Sequence, residues 1–154
     1  MMAHAGRSDG ALETRDLSGS PSPPLDGGDA ESEAYAAFVS INRLFADAMC
    51  ALSATRTLVS IHGMELCLVP ALLRERAPTE MTTSLHVCTP FPSSENFRVL
   101  IERASLLKGM LGADAIAFAT QNYARQFVAS CVRILGTEAT PTGIEHDGRH
   151  VAVR

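Results

Sequence analysis

Residues 57–76 read Thr-Leu-Val-Ser-Ile-His-Gly-Met-Glu-Leu-Cys-Leu-Val-Pro-Ala-Leu-Leu-Arg-Glu-Arg, and their conformation decides what kind of fold the chain adopts. The β-branched residues Thr57, Val59 and Ile61 favour an extended segment. On that reading the chain turns at His62-Gly63, as a hairpin with strands at 57–61 and 65–69. The alternative continues a helix to a break at Gly63 and restarts it with Pro70 in the first turn, where a missing N–H costs nothing. The run Leu72-Leu73-Arg74-Glu75-Arg76 supports a helix after Pro70, and the balance falls on the helical reading.

Working towards the N-terminus, Phe38, Ile41, Phe45, Ala48, Leu52, Thr55 and Val59 recur at gaps of three and four, the spacing of one helix stripe. Asn42, Arg43 and Asp47 fall off that stripe. Asp29, Glu31 and Glu33 sit where a helix start favours acids. A helix is therefore expected from about 30 to 55. Before it, residues 1–28 are rich in Ser, Gly, Pro and acids and have little to bury, so a disordered tail is expected.

Towards the C-terminus, 77–93 reads as a connector punctuated by Pro78, Pro90 and Pro92, with Ser84–Cys88 as a short strand. Ser93 is suited to cap a helix whose apolar face is Phe97, Leu100, Ile101, Ala104, Leu107 and Leu111. Gly112 ends it. Asp114 then caps a second helix with Ile116, Tyr123, Phe127, Cys131 and Ile134 on one face, ending at Gly136. At the end of the chain, Asp147-Gly148 between alternating apolar residues is a strong hairpin signal. Its pairing places His146 opposite Arg149 and Glu145 opposite His150, so the two histidines of His-Asp-Gly-Arg-His point to opposite faces and share no metal.

The expected fold is mainly α: a compact bundle of three to four helices with a small β-hairpin element. The alternative is α+β, with helices on a small antiparallel sheet. The expected organisation is a tail over 1–28, a helical domain over 29–136, and a hairpin or flexible tail over 137–154.

Composition narrows the function. Twelve Arg stand against one Lys, Lys108, a ratio that points to a GC-rich coding source, viral or bacterial. Net charge is −4 and the basic excess over 94–136 is small, so the basic stripe of a nucleic-acid binder is missing. No apolar run reaches the ~18 residues of a membrane span. Nor does an apolar segment follow a basic start, so a cytoplasmic location with reduced thiols is expected.

Catalytic constellations are equally sparse. There is no GxSxG elbow, phosphate-cradling glycine loop or HExxH. Gly109 and Gly112 read as helix punctuation. His62, Cys67, His86 and Cys88 could converge as a Cys2His2 set only if 56–88 forms strands, and their spacing fits no zinc pattern. No metal and no cofactor are therefore expected. The function expected is non-enzymatic: an adaptor, assembly factor, chaperone-like or regulatory subunit that binds another protein or itself. Phe38, Ile41, Phe45 and Leu52 are the candidate contact residues, because large apolar side chains dominate interface energies. The alternatives are a small enzyme with a Cys/His site around His86 and Cys88, and a structural or regulatory component of a GC-rich virus or bacterium.

Overall fold

The computed structural model describes residues 27–52, 57–76 and 81–154. The tail expected over 1–28 falls, apart from its last two residues, outside the described residues. The chain runs α1 (Gly27–Leu52), β1 (Thr57–His62), a 3-10 turn (Met64–Leu66), α2 (Val69–Arg76) and β2 (Met81–Val87). It continues through α3 (Ser94–Phe97), α4 (Arg103–Leu111), β3 (Ala115–Phe118), α5 (Gln121–Leu135), β4 (Glu138–Thr140), β5 (Gly143–His146) and β6 (Arg149–Val153).

The helical-bundle expectation is wrong. The six strands form one mixed sheet in the order β1-β2-β3-β6-β5-β4. β1, β2, β3 and β6 run parallel, and β5 and β4 extend the sheet antiparallel. This is an α/β fold, with helices between successive parallel strands as such crossovers require. The antiparallel-sheet alternative fails for the same reason.

The stretch 57–76 shows why. It is neither continuous helix nor hairpin, but strand, turn and helix in succession. Thr57–His62 pairs in register with Met81–His86 of β2, so the strand that partners it lies beyond α2. Gly63, at φ 97°, makes the turn that side chains disfavour, and its N–H donates to His86 O at 2.9 Å. Asn42 of α1 then pins the connection: its amide donates to Glu65 O (2.9 Å) and Phe38 O (3.0 Å), and its Oδ1 accepts from Leu68 N (3.1 Å). Asn42 is fully buried. The face of α1 that packs inward therefore carries Asn42 and Ala46, with Phe38, Val39, Met49 and Cys50 partly buried. That face is rotated from the apolar stripe read in the sequence.

β3 is the second departure. Ala115-Ile116-Ala117-Phe118 looks like the first turn of a helix, yet it pairs with both β2 and β6. The helix expected from Asp114 starts only after Thr120, whose hydroxyl accepts from Tyr123 N, and ends at Gly136 in a left-handed cap. The helix expected after Ser93 is two, α3 and α4, separated by a turn over 98–102. The glycines of α4 are contact points. A Cβ on Gly112 would lie 2.2 Å from Ala71 N, and one on Gly109 2.6 Å from Leu68 Cδ2, so α4 crosses α2 backbone to backbone.

One apolar core joins the helices to one side of the sheet. Leu73, Leu107, Met110, Leu111, Phe127 and Cys131 pack there with Ile61, Leu85, Ile116, Ile144 and Val151. The other side of the parallel strands carries Leu58, Ser60, His62, Thr82, Ser84, His86, Ala115, Ala117 and Ala152. Those residues are exposed or half-buried, and no helix among the described residues covers them. Within α1, Ala30–Leu52 is long and apolar enough to cross a bilayer by length and composition. Here it packs against α2 through its Asn42 face.

Candidate functional site at the carboxyl edge of the sheet

In open α/β sheets ligands bind beyond the carboxyl ends of the parallel strands. β1 ends at His62 and β2 at Val87, and in the register of the two strands His62 stands opposite His86. Their side chains emerge on the uncovered side of the sheet. The imidazoles stack with centroids 4.6 Å apart and planes 10° from parallel. Each ring is held from its own strand: Ser60 Oγ lies 3.0 Å from His62 Nε2, and Ser84 Oγ lies 3.2 Å from His86 Nε2. Two Ser-x-His tripeptides, 60–62 and 84–86, thus build the same half-site twice. The Nδ1 atom of each ring makes no protein hydrogen bond among the described residues.

Beside His86 lies a pocket of about 310 Å³ floored by Ala115, Ala117 and Ala152, with Arg154 at its end. Small side chains there let a ligand approach the sheet closely. On the helix side of β6 a second pocket, of about 420 Å³, takes in Gln121, Arg125, Thr140 and Arg154. α5 starts at this edge, and a helix N-terminus attracts anions. Arg125, Arg154 and the start of α5 make the edge cationic, and neither pocket is lined by a carboxylate side chain.

Comparison with known proteins gives this edge its context. Residues 21–154 match the model of glycosyltransferase family 20. The chain belongs to glycosyltransferase family 20. Among its relatives is an α,α-trehalose-phosphate synthase [UDP-forming] 1 of Arabidopsis thaliana, 41% identical over 115 residues, which are 75% of this chain and 12% of that protein. A synthase of the same name from Botryotinia fuckeliana is 40% identical over 122 residues, 77% of this chain and 23% of that protein. Among solved structures, the N-terminal domain of Candida albicans trehalose-6-phosphate phosphatase superposes with a TM-score of 0.79 at 35% identity. That match covers 85% of this chain and 28% of the other. A UDP-forming α,α-trehalose-phosphate synthase from Burkholderia vietnamiensis gives 0.71 at 28% identity, covering 77% and 27%. The chain spans about a quarter or less of the length of these relatives.

Membership of family 20 overturns the expectation of a non-enzymatic adaptor, because the family is one of glycosyltransferases. It also displaces the thiol-enzyme alternative. His86 bonds to Ser84 and stacks on His62, while Cys88 lies exposed in the loop after β2. Of the four candidate metal ligands, the fold brings the two histidines together and leaves the cysteines apart. Cys67 is buried in the core, and burial pushes its thiol up to about 12.

Phe38, Ile41, Phe45 and Leu52 all lie on α1 and line neither pocket of the carboxyl edge. Phe38 is half-buried and stacks on Tyr35, whereas Ile41, Phe45 and Leu52 are exposed. The terminal hairpin pairs His146 with Arg149 and Glu145 with His150 around Asp147-Gly148. His150 bonds to Glu145 (2.8 Å) and Thr142 (3.2 Å), and His146 to Asp147 (3.3 Å), so the two rings serve different neighbourhoods. The repeated Ser-x-His was the signal in the sequence that marks the site, since one strand–helix–strand unit separates the two copies.

Proposed function

We propose that this chain forms part of the substrate site of a trehalose-phosphate synthase, a glycosyltransferase that takes a UDP-sugar donor and a sugar-phosphate acceptor. The observation that supports it best is the cationic carboxyl edge, combined with relatives that are UDP-forming trehalose-phosphate synthases. Both substrates are phosphorylated sugars. Arg125, Arg154 and the α5 N-terminus suit their phosphates. The stacked imidazoles, steadied by Ser60 and Ser84, present Nδ1 atoms that can exchange hydrogen bonds with sugar hydroxyls. Four free cysteines fit a reducing, cytoplasmic setting.

The test is titration of the 154-residue chain with UDP-glucose and with glucose 6-phosphate, followed by amide chemical shifts. Binding of at least one, with shifts centred on His62, His86 and Thr120, and weakened about tenfold by His62→Ala or His86→Ala, supports the reading. Absence of binding to both overturns it.

A further inference from the structure

A second charged centre lies at the opposite, amino-terminal edge of the parallel strands. Arg149 opens β6, His146 closes antiparallel β5, Arg74 stands near the end of α2, and Lys108 lies in the last turn of α4. All four line one pocket of about 310 Å³. Four elements thus send basic side chains to a single place, and three of those side chains are half-buried. Arg74, Arg149 and His146 have side-chain exposures of 22%, 30% and 14%.

The guanidinium groups are held in place from behind. Arg149 Nη2 donates to Leu111 O at 2.9 Å, and Arg74 donates through Nε and Nη2 to Gly112 O at 3.3 Å. Both also face Asp114, which lies beneath the pocket. Such fixed guanidinium groups suit the tetrahedral oxygens of a phosphate, because their orientation is set before the ligand arrives. Burial, and then the charge of Arg74, lower the Arg149 pKa from its ordinary value, while Asp114 and Asp147 act in the opposite direction. Lys108, at the rim, is exposed and makes no ion pair among the described residues. Glu75 and Asp147 line the same pocket and can accept from hydroxyl groups.

We propose that this pocket binds a phosphate dianion, either inorganic phosphate or the phosphate of a sugar ester, as a site separate from the carboxyl edge. β6, five residues long, separates the two sites by roughly 16 Å, and the inference does not rest on the proposed catalytic reading. A phosphate here ties α2, α4 and the β5–β6 turn together, so binding raises stability.

The experiment follows thermal unfolding and amide shifts of the full chain at constant ionic strength, with sodium phosphate, glucose 6-phosphate or chloride added. The expected result is a saturable rise in melting temperature with one or both phosphate probes and none with chloride, with shifts at Lys108, His146 and Arg149. Lys108→Glu is expected to weaken that binding about tenfold while leaving unliganded stability unchanged. His146→Gln, which keeps the polar surface, provides a second weakened variant. A response to glucose 6-phosphate alone assigns the site to an ester, and a response to inorganic phosphate assigns it to the free ion. No saturable response to either probe overturns the proposal, as does binding that survives Lys108→Glu and His146→Gln intact. Loss of these shifts in His62→Ala also overturns it, by assigning the binding to the carboxyl edge.

Discussion

Asp114 Oδ1 stands 2.5 Å from Arg74 Nη2 and 3.5 Å from Arg149 Nη1, so one carboxylate holds α2 and β6 against the start of β3. Its other oxygen accepts from Thr83 N at 2.7 Å, which adds β2 to the same knot. Asp114→Asn keeps the shape and removes the charge that balances two half-buried guanidinium groups. Because the carboxylate is about a third exposed, the loss is expected to stay near 2 kcal/mol, below that of a fully buried pair. Urea unfolding measures it, and a midpoint equal to that of the parent chain would show that the knot contributes no net stability.

Asn42 and Phe45 make opposite claims about α1. Asn42→Ala strands the buried Leu68 N–H and takes the side-chain donor from Glu65 O, so a destabilisation of about 2 kcal/mol is expected. Phe45 is 46% exposed, so Phe45→Asp should change stability by less than about 0.5 kcal/mol. Its effect is expected on association instead, read by light scattering as loss of any concentration-dependent rise in mass.

Gly112→Ala should be costly although the change is one methyl group. The added carbon meets backbone atoms of Pro70 and Ala71, which cannot swing aside as a side chain can. Separating α4 from α2 is expected to cost about 3 kcal/mol, and calorimetry of the variant measures it.

The cysteines should sort by depth. Native iodoacetamide labelling is expected to reach exposed Cys88 first, and Cys67 and Cys131 only when the chain unfolds. Burial pushes both core thiols from 9.0 to about 12. Between those values the folded chain keeps its thiols protonated while the unfolded chain releases the protons. Stability, fully present below pH 9, therefore falls as pH rises through that window, by about 1.4 kcal/mol per pH unit for each thiol. Cys131→Val removes one of the two contributions, and denaturation across that pH range should show a shallower slope.

The sequence displays local structure here better than pairing. The Asp147-Gly148 turn sets its own register, and the terminal hairpin could be read down to individual pairs. The Gly136 cap and the apolar face of α5 were equally local. β1, β2 and β3 have no such signal. Their partners lie beyond a helix, and Ala115–Phe118 carries only four residues of a composition that a helix accepts equally well. Asn42 is the sharpest case: a polar residue on the buried face shifts the apparent stripe, because its hydrogen bonds replace apolar contact. The site was missed for the same reason. His62 and His86 are neighbours only once β1 and β2 are known to run side by side.

The strand order has a consequence for how the chain is made. β1, β2 and β3 can assemble in the order of synthesis, but the position beside β3 belongs to β6, which is translated after the two strands outside it. Val151 of β6, fully buried, therefore reaches the core only after β1 to β5 have emerged from the ribosome. Until then β3 presents an open edge and α5 an unfilled flank. A nascent chain stalled before residue 149 would carry an incomplete sheet in need of shielding, because β6 fills a place between strands that are already made.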